Sequence, residues 1–119
     1  MGKVEVFRTF ADSFVLPDVR ERFLHEAAQR PEKLYQRICH NIGDVFPPAL
    51  ATNKITFDHS AECFLLQGLR GFTVTTWGEA SRHMGLGEGC LIIDATGKTF
   101  YAETEAVRGC PSITYAGAS

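Results

Sequence analysis

Four residues in the second half of the chain have side chains suited to ligand binding. Trp77, Glu79, Arg82 and His83 combine an aromatic plate, a carboxylate, a guanidinium and an imidazole within a short stretch. Arg82 could clamp an anion and His83 could shuttle a proton. Because the stretch is irregular and follows a predicted strand, it is where binding groups are often placed. We predict these four residues as a ligand-binding site; an ordinary solvated loop anchored by Trp77 is the alternative.

A second group has the residue types of nucleophilic catalysis. Asp58, His59 and Ser60 are consecutive, and Cys63 follows. A His activates a hydroxyl or thiol only within hydrogen-bond reach, and a carboxylate can orient that His. Adjacent residues of a strand point to opposite faces, so the three cannot form a triad by adjacency. His59 could approach Cys63 only through a favourable turn, and a polar turn beside a buried cysteine is the simpler interpretation.

Metal and phosphate sites are not predicted. Zinc needs about four converging ligands, whereas the side chains of Cys39 and His40 diverge on a helix and His25 and His40 are expected on solvated helix faces. The glycine-rich run 85–89 is followed by a predicted strand, and Glu88 would repel phosphate, so it does not resemble a phosphate-binding loop. We expect a flexible strand connection there, and no cofactor.

Charge and hydropathy argue against two classes of partner. Lys and Arg total 12 and Asp and Glu total 14, which gives a net charge of −2 with no basic concentration, so we predict no nucleic-acid partner. The apolar runs are far shorter than the roughly 20 residues that span a bilayer. Charged residues also interrupt any signal-peptide core near the start, and we predict a cytoplasmic protein without a membrane partner.

The chain has four cysteines, Cys39, Cys63, Cys90 and Cys110. They permit three disulfide connectivities. Because the chain is long enough to have its own core and a cytosolic protein is kept reduced, we predict buried free thiols instead.

The first half predicts two helices. Pro17 is typical of a helix start, and Val19, Phe23 and Ala27 recur at helical spacing. Pro31 would break a continuous helix, so we expect a second helix to begin there. Its apolar face extends towards Pro47-Pro48, which should end it; the face consists of Leu34, Ile38, Ile42 and Val45. Before the first helix, the segment that carries Val4, Val6 and Phe10 could form a short strand or a frayed terminus packed on the core.

After residue 50 the apolar period changes from 3.6 to 2, which predicts strands. The expected strands are Asn53–Asp58, Cys63–Gln67, Phe72–Trp77, Leu91–Ile93, Lys98–Glu103 and Ser112–Tyr115. Gly68 and Gly71 indicate either a hairpin turn or a bend in one long strand. The run from Asp94 to Gly97 favours a type I turn with a glycine bulge, and a short helical turn is expected at Glu79–Met84.

Helices followed by closely connected strands predict an α+β fold. We expect two N-terminal helices packed on a curved, mainly antiparallel sheet of four to six strands. The length of 119 residues is close to that of a common domain, so a single domain spanning residues 1–119 is predicted.

Three functions are compatible with this sequence. The first is a non-catalytic module that binds a small, partly apolar ligand between sheet and helices. The second is a protein-interaction module: an inhibitor, an immunity-type partner or an obligate homodimer. The third is a small acid–base enzyme that uses His83 or His59 with Glu79 or Asp58. The sequence leaves open whether the protein is an enzyme.

Overall fold

A layer of N-terminal helices is followed by a five-stranded antiparallel sheet in the computed structural model, which describes residues 2–52 and 54–119. The predicted α+β class is therefore confirmed. The α-helices are α1 (Lys3–Phe14), α2 (Arg20–Gln29), α3 (Pro31–His40) and the short α4 (Trp77–Ala80). The strands are β1 (Glu62–Leu66), β2 (Phe72–Thr76), β3 (Glu88–Asp94), β4 (Thr99–Glu105) and β5 (Thr114–Ala118). Short 3-10 turns lie at Pro17–Val19, Ile42–Asp44, Pro48–Leu50 and Ser81–His83.

Helix α1 lies where a short strand or a frayed terminus packed on the core was expected. The strand is absent, whereas the packing on the core is confirmed, with the segment forming a regular helix instead of a frayed end. Val6, Phe10 and Phe14 are four residues apart, and all three are buried. This spacing places them on one face of a helix. Val4 is 80% exposed. The helical spacing of the buried side chains therefore determines the structure, not the local alternation of Val4 and Val6.

Pro31 separates two helices, as predicted. Arg30 has φ −141° and ψ 60°, which is outside the helical region, and Pro31 is the first residue of α3. Helix α3 ends at His40, however, well before Pro47-Pro48. Asn41 has φ −141° and ψ 42°, and Asn and Gly are weak helix formers. The predicted apolar face still reaches the core, because the 3-10 turn after Asn41 keeps Ile42 and Val45 buried.

The expected strand Asn53–Asp58 is not present in its described part. Residues 54–58 contain no strand, and Asn53 lies outside the described residues. Ile55 and Phe57 are half-buried against one face of the sheet. Packing of every second side chain gives the same alternation as a strand, but a strand also needs a hydrogen-bonded neighbour.

The sheet has the strand order β2-β1-β3-β4-β5. The pair Gly68 and Gly71 belongs to a hairpin between β1 and β2, with φ values of 91° and 96°. A second hairpin joins β3 to β4, where the Gly97 N–H donates to the Asp94 carbonyl at 2.8 Å. The predicted turn at Asp94–Gly97 is therefore confirmed.

Both faces of the sheet are covered. The helices and the segment that follows α3 pack on the first face through aromatic side chains. The ring centroids of Phe10 in α1 and Phe46 in that segment lie 5.2 and 4.8 Å from that of Phe100. The second face is covered by residues 55–61 and by Trp77 and Ala80 of α4. The first face presents Phe64, Leu66, Leu91, Ile93, Phe100, Ala102 and Tyr115, and the second presents Cys63, Leu65, Cys90, Ile92, Tyr101 and Ala116.

We expect Gly97→Ala to destabilise the fold far more than Gly109→Ala. Both glycines have positive φ, 75° and 82°, which costs a non-glycine residue about 1–2 kcal/mol. A Cβ at Gly97 would also lie 2.6 Å from the Val6 carbonyl oxygen of α1, whereas one at Gly109 meets nothing within 4 Å. Urea unfolding should show a loss of about 3 kcal/mol or more for Gly97→Ala. Equal losses would contradict the close approach of α1 to this turn.

Candidate functional site

Trp77 belongs to the core of the second sheet face and is not available as an exposed aromatic plate. It is fully buried, its ring stacks on Phe57 at 5.0 Å, and its Nε1–H donates to Asp94 Oδ1 at 2.8 Å. A buried indole usually has such a partner for its N–H group. The hydrogen bond joins the start of α4 to the end of β3, so Trp77 positions the chain that follows it.

The other three predicted ligand-binding residues lie near the surface. Glu79 and Arg82 are exposed and form an ion pair at 3.5 Å. His83 is half-buried, and its Nδ1 lies 3.9 Å from Glu88 Oε2. The structure thus joins Glu79 to Arg82 and brings His83 near Glu88, while Trp77 turns into the core. No contact among the described residues gathers all four around a common point.

The Asp58 group forms a local turn. Asp58 Oδ1 accepts hydrogen bonds from the Ser60 N–H at 2.9 Å and from the Ser60 hydroxyl at 2.8 Å. These bonds hold the pKa of the Asp58 carboxyl below its usual value. The Ser60 hydroxyl is engaged with Asp58 rather than His59, whose ring lies 5.0 Å from Phe57. Cys63 is buried, and burial raises its pKa to about 11.

A buried carboxylate that the sequence did not indicate holds the glycine-rich segment. Glu103 on β4 is fully buried. Its Oε1 accepts hydrogen bonds from the Gly85 N–H at 2.7 Å and the Tyr101 hydroxyl at 2.6 Å, and its Oε2 accepts one from the Gly87 N–H at 2.8 Å. Such bonds offset the cost of burying the charge. The glycine amides bind an internal anion, although no external phosphate was predicted here.

The groups around Glu103 are poorly suited to proton transfer near neutral pH. Cys90 is fully buried, and burial, with a smaller contribution from Glu103, raises the pKa of its thiol far above the usual value. Burial and the hydrogen bond to Glu103 also raise the pKa of Tyr101. A thiol becomes a nucleophile only as the thiolate. The cluster therefore has the properties of a structural network.

The outer edge of β2 is exposed. Its strand neighbour within the described part of the chain is β1. The Trp77 N–H donates to the Ala61 carbonyl at 2.9 Å, just beyond the β1–β2 register. Because antiparallel pairs alternate, Thr73 and Thr75 direct their main-chain groups towards β1. Phe72, Val74 and Thr76 direct theirs outwards, away from the sheet.

The side chains of this edge are uncharged. The strand reads Phe-Thr-Val-Thr-Thr and contains neither a charge nor a proline. Val74 is 64% exposed, and Thr73 is exposed on the opposite face. The other edge of the sheet is partly covered, because the Thr52 N–H donates to the Thr114 carbonyl at 3.0 Å and Ala51 bridges to Tyr115.

A shallow groove of about 260 Å3 lies between α1 and α2. Its lining residues are Lys3, Val4, Phe7, Arg8, Leu24 and Ala28. Arg8 is also engaged with Glu21, at 2.9 Å. The groove therefore differs in place from the ligand site that was expected between sheet and helices.

Two further kinds of feature are absent from the part of the chain that the structure describes. Within residues 2–52 and 54–119, no three His, Cys, Asp or Glu side chains are grouped as a metal ion requires. No helix in the same ranges is both long and apolar enough to cross a membrane. No family model, curated protein or solved structure matches the chain.

We expect Glu103→Gln to lower the free energy of unfolding by about 1–3 kcal/mol. An amide presents only one acceptor oxygen, so one of the two glycine N–H groups loses its partner. The Gly85 and Gly87 amides should also exchange faster with solvent. Glu105→Gln is the matched control on the same strand, because Glu105 is exposed and its loss should cost no more than about 0.5 kcal/mol. Equal effects would show that the buried contacts of Glu103 contribute little.

We expect one thiol of the folded protein to react with an aromatic disulfide reagent near neutral pH. Cys39, Cys63 and Cys90 are free and buried, as predicted, but Cys110 is exposed, so the prediction of a buried thiol was wrong for that residue. Burial raises the pKa of each of the three, so they should react only after unfolding. The Cys110→Ser variant should show no fast reaction. A fast second thiol in that variant would show that one of the three is accessible.

Proposed function

We propose that the protein is a protein-interaction module that binds a partner chain through the outer edge of β2. The observation that carries this proposal is the open outer edge of the uncharged strand Phe72–Thr76, whose middle residues Thr73 and Val74 are exposed and whose alternate main-chain groups point away from the sheet. An extended segment of another protein can add to such an edge, since main-chain hydrogen bonds supply affinity and alternate side chains supply specificity.

Unprotected edges are uncommon in proteins that do not use them. Natural sheets usually protect an edge with a charged residue, a proline, a bulge or a covering segment. The edge at β5 has such cover from residues 51 and 52. The β2 strand has no charged residue and no proline, and its β-branched Thr and Val residues favour strand pairing. Its composition therefore supports pairing with another strand.

The geometry supports ligand binding between sheet and helices less well. Phe10, Phe46 and Phe100 pack against one another in that layer, and each is fully buried. A ligand there would have to displace close-packed aromatic side chains. The surface groove between α1 and α2 is the alternative location for a small apolar molecule. Ligand binding stays a prediction.

The acid–base enzyme also stays a prediction. His59 and His83 each lie near a carboxylate in the sequence, but Asp58 is engaged by Ser60 and Glu79 by Arg82. A general base needs a proton within hydrogen-bond reach and a partner that orients it. His83 Nδ1 lies 3.9 Å from Glu88 Oε2, which is beyond hydrogen-bond reach. Asp58 and Glu79, the carboxylates expected to orient the two histidines, are engaged elsewhere.

We expect affinity capture from the native host to retain a partner chain that depends on Val74. Val74→Lys places a charge on the exposed edge without disturbing the core, so it should weaken capture at least tenfold, or about 1.4 kcal/mol. Val4→Lys is the matched control, since Val4 is an equally small, exposed side chain on α1. Capture that is unchanged by Val74→Lys and lost with Val4→Lys would contradict the proposal and favour the groove.

A further inference from the structure

We propose that the β2 edge pairs with the β2 edge of a second copy of this chain, antiparallel and centred on Val74. This inference rests on the proposed function and names the partner. The outward main-chain groups belong to Phe72, Val74 and Thr76, which are symmetric about the middle residue. A two-fold axis at Val74 therefore aligns Val74 with Val74 of the copy and Phe72 with Thr76. Each aligned residue offers both an N–H donor and a carbonyl acceptor.

The side chains are compatible with this register. Val74 would contact Val74 of the second copy. The contact would lie on the sheet face that carries Phe64, the residue opposite Val74 in β1. Thr73 would meet Thr75 of the copy on the other face, where two hydroxyl groups can hydrogen-bond. No charged residue lies within Phe72–Thr76, so the axis brings no like charges together. A self-complementary surface of this kind is what an isologous dimer requires.

The charges at the ends of the strand favour the antiparallel orientation. At the start of β2, Lys3 Nζ lies 5.7 Å from the ring centroid of Phe72. Exposed Arg70 precedes Phe72 by two residues. At the other end of β2, exposed Glu62 of β1 lies opposite Thr76, and Glu79 lies in α4, which follows directly. Arg82 shares Glu79, which leaves the end acidic. Antiparallel pairing places the basic end of one copy beside the acidic end of the other.

The dimer should be weak and dependent on concentration. The paired strand has five residues, whereas a standard interface has roughly 20–30 residues a side. Association should therefore appear in sedimentation velocity only as the protein concentration rises. Val74→Lys should raise the dissociation constant at least tenfold, while Val4→Lys should leave it unchanged.

Disulfide trapping tests the register directly, in a Cys110→Ser background that removes the exposed native thiol. Directly opposed residues have Cα atoms about 5.5 Å apart, which a disulfide can span. Val74→Cys should therefore form a covalent dimer under mild oxidation. Residues 73 and 75 each lie roughly 7–8 Å from the same residue of the copy. Thr73→Cys alone and Thr75→Cys alone should therefore cross-link poorly. A mixture of these two variants should cross-link well.

The outcomes separate this inference from the proposed function. Trapping through Val74 and through the mixed pair, with a dimer weakened by Val74→Lys, supports self-pairing. A protein that stays monomeric and cannot be trapped at any soluble concentration overturns self-pairing. If a different chain is then captured through Val74, the proposed function still stands. If no chain is captured either, both proposals are overturned. A dimer that Val74→Lys does not weaken also overturns self-pairing at this edge.

Discussion

The central strands of the sheet are buried on both faces, and this double burial determines the arrangement of the rest of the chain. Cys90, Leu91, Ile92 and Ile93 are all fully buried, so β3 is an apolar run without alternation. One of its faces needs the N-terminal helices and the other needs a second cover. That cover comes from residues 55–61 and α4, and it accounts for the inward position of Trp77. Polar groups in this layer must find internal partners.

Much of the fold was predictable because its signals are local. The change of apolar period separated helices from strands, and Pro31 and Gly97 marked a helix boundary and a turn that the structure contains. The errors arose where two local patterns compete. Residues 4–6 alternate like a strand although the wider spacing is helical, and residues 54–58 alternate without a neighbouring strand. Periodicity reports which side chains are buried and leaves the hydrogen-bond partner of the backbone undetermined.

The buried Glu103 network and the open β2 edge were less predictable, because both depend on contacts between residues that are far apart in the sequence. In the sequence, nothing distinguishes Glu103 from an acidic residue on the solvent face of a strand. Its two amide donors, Gly87 and Gly85, lie 16 and 18 residues earlier in the chain. Likewise Phe-Thr-Val-Thr-Thr is an ordinary strand until the order of the strands leaves it at the edge. A buried Trp77 and an exposed one have the same local sequence. These roles follow from which element covers which face, and a single sequence carries little information about that.

The order of the elements along the chain has a consequence for synthesis on the ribosome. The helices come first, but the aromatic side chains of α1 pack against rings of the sheet, such as Phe64 and Phe100. Chains emerge at roughly 5–20 residues per second, so several seconds pass before these strands appear. During that interval the apolar helix faces have no sheet to cover. The apolar helix faces of the first half therefore gain their packing partner only when the hairpins of the second half form.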